Sequence, residues 1–228
     1  MLTSLDSGIL LSSPDDVEFF PERTVCITGH REKSIIPYMN DSSYFHLTRA
    51  VVRMMLFRYI DMALEKGYTD FFSGLAEGTD LWAAEYLLMK KNVGGNIRLI
   101  GAMPFLKHST FASADTKRFL QKVENGADCV VLLNNSPEIT YGRKKEAGTS
   151  SSLYKVRNYF MVDNSSAVLG FFDGRNSFSG TSQTVSYAEM KHRKVRCFGL
   201  NDVYCIIRES NCDFDRIKSA VAELENIF

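Results

Sequence analysis

Phe72-Ser73-Gly74-Leu75-Ala76-Glu77-Gly78-Thr79-Asp80 is the stretch on which the fold turns. Upstream, Tyr68 to Phe72 is rich in β-formers. Downstream, Leu81, Trp82, Ala83, Ala84, Tyr86, Leu87 and Leu88 carry the dense apolar pattern of a buried helix. Gly74 and Gly78, flanked by Ser and Asp, therefore sit at a strand-to-helix turn. An α/β sheet binds phosphate at such turns. Glycine lets the backbone come close, and the helix N-terminus offers unpaired N–H groups and a positive dipole end. One such loop is a weak signal, but two similar junctions occur elsewhere in the chain.

Working outward, six short β-like runs recur: Thr24–Thr28, Thr69–Phe72, Ile97–Ala102, Asp128–Leu133, Ala167–Phe172 and Lys194–Phe198. Segments long enough for crossover helices lie between most of them: Tyr44–Lys66, Leu81–Lys91, Thr110–Asn125, Tyr154–Val162 and Thr184–His192. Parallel neighbours need such crossovers, so the rhythm predicts a three-layer α/β sandwich around a mainly parallel sheet of about six or seven strands. Cys129-Val130-Val131-Leu132-Leu133 reads as a strand buried on both faces. Val203–Ile207 fits either an edge strand or the approach to a last helix. That helix is marked by Phe214, Ile217, Val221, Leu224 and Phe228, and it should pack on the sheet. Residues 1–21 show no periodicity and read as a loosely packed arm, leaving 22–228 as a single domain. Asn134–Ser152 is a long polar loop with a basic run at Arg143-Lys144-Lys145.

Composition bounds the function. The chain has 228 residues, 45% of them apolar, which suffices for one substantial core. Its 27 basic and 27 acidic residues cancel, so no global positive field recruits nucleic acid. The apolar stretches are too short to span a bilayer, and Asp6 precedes the first apolar patch where a signal peptide would be basic. The five cysteines are scattered without zinc-ligand spacing; Cys26, Cys129 and Cys197 fall in expected buried strands. A cytosolic (cytoplasmic) chain with no metal and no cofactor is expected, with no membrane partner.

In an open parallel sheet, ligands bind beyond the carboxyl ends of the strands. There the chain places Gly29, His30 and Arg31, then Ser73, Gly74, Gly78 and Asp80. The fifth strand is followed by Asp173-Gly174 and by Ser179-Gly180-Thr181-Ser182-Gln183-Thr184. Arg157, Asn158 and Asp163 lie on the preceding helix. Each residue also has a purely structural reading: Gly29 ends a strand, Gly74 and Gly78 permit close packing, Asp80 and Ser179 cap helices. Three such loops on one edge, with two arginines, favour a binding site. Trp82 is expected in the core, Glu85 in a salt bridge or at the ligand, and His108 in solvent.

These motifs, in order, carry a resemblance. Thr24–Arg31, Ser73–Asp80, Arg157-Asn158 and Ser179-Gly180-Thr181-x-x-Thr184 with Tyr187-Ala188 resemble the SMF/DprA–LOG (SLOG) superfamily. Thr69–Gly74 and Met161-Val162-Asp163 are most similar to the stand-alone YpsA-like proteins. The resemblance spans about Thr24 to Gly199 and implies a Rossmann-like fold that binds nucleotides or nucleotide-derived ligands. LOG members cleave an N-glycosidic bond using paired glutamates after a Gly-Thr; here Ser182, Gln183 and Thr184 follow Gly180-Thr181. Asp163, Asp173, Glu77 and Glu85 are the carboxylates that could substitute, and spacing selects none of them. DprA members bind single-stranded DNA, but Glu77 stands where they typically carry arginine.

The expected function is therefore binding of a nucleotide or nucleotide-derived phosphorylated ligand in the strand-end cleft, with a sensor role left open. Its residues are Gly29, His30, Arg31, Ser73, Gly74, Gly78, Asp80, Arg157, Asn158, Gly180, Thr181 and Thr184. LOG-like hydrolysis of nucleoside monophosphates and DprA-like DNA binding are the alternatives. Nucleic acid is the less favoured partner, and a homo-oligomer stays open because related folds often pair through helices.

Overall fold

Six strands build one sheet in the computed structural model, which describes residues 2–35, 42–135, 147–172 and 179–228. They are β1 (Thr24–Gly29), β2 (Asp70–Ser73), β3 (Arg98–Met103), β4 (Cys129–Leu132), β5 (Ala167–Phe171) and β6 (Lys194–Phe198). The α-helices are α1 (Glu32–Ile35), α2 (Ser42–Glu65), α3 (Thr79–Asn92), α4 (Ala114–Gly126), α5 (Ala147–Asp163), α6 (Gly180–Met190), α7 (Leu200–Glu209) and α8 (Phe214–Ala222). Every neighbouring strand pair is parallel, in the order β4-β3-β2-β1-β5-β6. The chain lays strands outward from β1 to β4, then crosses back to add β5 and β6. That reversal opens a crevice between the carboxyl ends of β1 and β5, the usual ligand position in such sheets.

The apolar strands conceal a two-residue alternation. Val25, Ile27, Phe71, Leu169 and Phe171 enter the larger core together with residues of α2, α3, α4, α7 and α8. Cys26, Phe72, Ile100, Val131 and Val168 belong to the opposite core, with Met161 and Val162 of α5 and Ala188 of α6. Both faces are thus covered, which is why the strands read as continuous apolar runs. Phe72 is fully enclosed, and burying a ring of this kind contributes roughly 1.5–3 kcal/mol. No helix among the described residues is long and apolar enough to cross a membrane.

Four details differ from the sequence reading. The N-terminal arm is docked rather than loose: Ser12 donates to Val130 O and accepts from Leu132 N, pairing with the outer edge of β4. Phe19 packs on Phe72 and Phe160 in the smaller core. These contacts are too short and irregular to leave a periodicity. Cys129 is half-buried and Cys197 exposed, because β4 and β6 are the edge strands. Val203–Ile207 lies within α7, with Val203, Ile206 and Ile207 buried. Helix α8 stops at Ala222; Phe228 reaches Tyr68 through a non-helical tail, with ring centroids 5.6 Å apart. The basic run Arg143-Lys144-Lys145 lies outside the described residues.

Candidate functional site

The β2–α3 turn is held by its own side chains. Ser73 Oγ accepts from Leu75 N at 3.2 Å and donates to Asp80 O at 3.1 Å, while Leu75 takes a left-handed φ of 58°. Gly78 has φ 92°, and a Cβ there would lie 2.8 Å from both His30 O and Glu32 N. Glycine is therefore required twice over, by conformation and by space. Thr79 Oγ1 donates to His30 O at 3.1 Å. A Cβ on Gly29 would strike the Thr79 side chain. The end of β1 and the start of α3 are thereby clamped together, with Gly78 spent on that clamp and Ser73 on the β2–α3 turn.

Gly74 makes room for a different reason. Arg157, on α5, donates through Nη1 to Gly74 O and lies 3.7 Å from Asp80 Oδ2. A Cβ at Gly74 would collide with both groups. The Arg157 and Asp80 side chains are only 6% and 7% exposed. Burial pushes the Asp80 carboxyl up to about 6, against the opposing pull of Arg157, the backbone at Ala76, Arg31 and the backbone at Gly74. Burial likewise lowers Arg157, with Asp80 opposing. Desolvation outweighs the attraction on both partners, as expected for a buried ion pair. Arg157 Nε is buried and has no hydrogen-bond partner among the described residues, so the guanidinium keeps one donor in reserve. Its Cζ lies 5.8 Å from the centre of the Tyr154 ring.

The three junctions meet around a cleft of about 260 Å³. Gly29, His30 and Arg31 come from the end of β1, Asp80 from α3, Arg157 and Asn158 from α5, and Gly180 and Thr181 from α6. Ser179 caps α6, its Oγ accepting from Ser182 N at 3.0 Å. The first N–H groups of a helix have no intrahelical acceptor, and Gly180 and Thr181 supply them here. Asn158 Nδ2 donates to Gly180 O at 3.5 Å. Thr184 is fully buried and donates to Gly180 O at 2.7 Å, so it holds α6 rather than lining the cleft. Gly74 instead borders an adjoining cavity of about 690 Å³.

That larger cavity shares Arg31, Ala76 and Tyr154 with the cleft, and Glu77, His108, Ser109 and Phe111 add to its wall. Tyr154, Ala76 and Thr28 line the cleft without having been named as binding residues, and Ser179 lines it as well as capping α6. Tyr154 stands one helical turn before Arg157, a spacing that could have revealed it. His108 is half-buried with its Nε2 enclosed, and burial pushes its pKa down to about 3, assisted by Arg157 and Arg31. Two of the substitute carboxylates are engaged elsewhere. Asp163, at the far end of α5, accepts from Tyr187 Oη and pairs with Lys191. Glu85 pairs with Arg53 and Lys122. Asp173 and Gly174 lie outside the described residues.

A wholly parallel sheet with a glycine-bounded crevice at its point of reversal defines a Rossmann-like α/β protein. The YpsA family model, described as the YspA SLOG family, matches residues 25–201, and the chain belongs to that family. The resemblance to SLOG proteins read from the motifs is thus borne out. The chain is also similar to the uncharacterized SPbeta prophage-derived protein YoqJ of Bacillus subtilis (strain 168). Identity is 30% over 119 residues, covering 52% of this chain and 68% of that protein. The structure is similar to DNA processing protein A (DprA) from Streptococcus pneumoniae, with a TM-score of 0.46 and 19% identity. That match covers 83% of this chain and 56% of the other, so the chain spans little more than half of that protein.

Proposed function

We propose that the cleft binds a nucleotide-derived phosphorylated ligand. The observation that carries this reading is the convergence of all three strand-end junctions on one concavity containing two arginines. In this account the phosphate sits against the N–H groups of Gly180 and Thr181 at the head of α6. Arg31, exposed at the rim, supplies a charge-assisted hydrogen bond. Arg157, which also lines the cleft, adds positive charge to its floor. The base and sugar extend past Tyr154 into the larger cavity, where aromatic and apolar groups meet polar ones. Together the two cavities provide the space that a nucleotide needs and that the smaller one lacks.

The role is binding rather than glycosidic cleavage. Gln183 and Thr184 stand where paired carboxylates would serve hydrolysis. Asp80, the carboxylate lining the smaller cleft, is held by Arg157 and by the loop backbone. Mass spectrometry of small molecules released by denaturing the purified protein tests the reading. A nucleotide or nucleotide derivative at a substantial fraction of one per chain is the expected result. Release of a phosphate-free compound that competes for the same cleft would overturn it.

A further inference from the structure

We propose that Asp6, His108 and Glu124 form a binding site for one divalent transition-metal ion. The three residues come from the N-terminal arm, the segment after β3 and helix α4, and each offers one ligand atom. Those atoms all lie within 4.8 Å of one another.

Glu124 is 1% exposed, an unusual position for a carboxylate. Its Oε2 accepts from the hydroxyls of Ser4 and Ser7, both on the arm. Its Oε1 is buried without a hydrogen-bond partner among the described residues, and so is His108 Nε2. Buried polar atoms are nearly always paired, because an orphan loses its bonds to water and gains none in return. A cation shared by the two residues satisfies both at once.

The surrounding hydroxyls are arranged as supports for ligands. Ser109 Oγ donates to Asp6 Oδ2, and Ser4 and Ser7 occupy one oxygen of Glu124, which leaves the other oxygen of each carboxylate for an ion. One imidazole nitrogen and two carboxylate oxygens suit Zn²⁺ best, with Co²⁺ and Mn²⁺ as relatives. A tetrahedral ion about 2.0–2.2 Å from its donors holds them about 3.4 Å apart. The widest spacing therefore closes on binding through side-chain rotation. Three protein ligands leave a fourth position open, and His108 and Ser109 border the larger cavity, which gives a route of entry.

The test uses the full chain, stripped with a chelator and titrated with Co²⁺ and then Zn²⁺. One equivalent of Co²⁺ should bind per chain, with visible absorption bands that Zn²⁺ displaces, and Zn²⁺ should raise the melting temperature. Asp6→Asn is the deciding variant, because it keeps the shape on which Ser109 docks. It should lower Co²⁺ affinity by at least about tenfold, as should His108→Gln. Failure of the wild-type chain to bind overturns the proposal. So does binding that is unchanged in folded Asp6→Asn, which would place the ion elsewhere, for example on the exposed Cys205 and Cys212.

Discussion

Replacing Arg157 with Met removes one half of a buried ion pair while keeping most of the side-chain volume. Asp80, 7% exposed on its side chain, is left as an unneutralised carboxylate. Breaking a buried pair in this way costs about 3–5 kcal/mol, and in a chain of this size each kcal/mol shifts melting by about 2–4 °C. Arg157→Met should therefore melt about 6–20 °C below wild type at pH 7.5. Asp80→Asn in the same background removes the stranded charge and should recover more than half of the loss. The pH dependence has a definite sign. Asp80 titrates at about 6 in the folded chain against an ordinary 3.8, so the folded state holds its proton more tightly than the unfolded one. The stability from that proton is fully present below 3.8 and is lost as pH rises through about 6. Without Arg157 the folded value climbs further, so the deficit of Arg157→Met should shrink at pH 5. Thermal melts of the four chains of the double-mutant cycle, at both pH values, supply the measurement. Strictly additive losses, or an Arg157→Met melt within about 2 °C of wild type, would refute the reasoning.

Three further outcomes follow from the same geometry. Gly78→Ala forces a side chain into φ 92° and against His30 O, and should destabilise the chain by about 1–3 kcal/mol or more in denaturant melts. Incubation with AMP followed by chromatography should release no free base; turnover abolished by Arg157→Ala would show that a hydrolytic carboxylate exists after all. Single-stranded oligonucleotides should bind weakly even at low salt and more tightly in Glu77→Arg, with a steeper salt slope. Tight wild-type binding that falls by about three to five decades between low and physiological salt would point to an extended phosphate track instead.

The sheet was legible because both its faces are buried: runs such as Cys129–Leu133 and the crossovers between them need no knowledge of partners. The sequence also places the three glycine-bearing junctions on one edge, since parallel topology sends every strand's carboxyl end there. Their individual reasons were not legible. Gly74 is open so that Arg157, distant in sequence, can reach its carbonyl, and Thr184 bonds backward within its own helix. Both resemble ligand contacts in a linear motif. Tyr154, His108 and Phe111 were missed as site walls because their role depends on how α5 and the segment after β3 pack. The docking of residues 1–21 was hidden for a related reason. Its links are single pairings, such as Ser12 with the β4 edge and Ser4 with Glu124, and no repeat announces them.

Isothermal titration of the wild-type chain and Arg31→Ala against mono-, di- and cyclic nucleotides and ADP-ribose separates a working anion site from an incidental cleft. Arg31 is exposed and lines both cavities, so its removal leaves the clamp between β1 and α3 intact. The account predicts at least one saturable ligand, bound about tenfold or more weakly by Arg31→Ala at an unchanged melting temperature, the loss expected for one charge-assisted hydrogen bond. Binding by neither chain across the whole panel, or equal affinity in both, would contradict it.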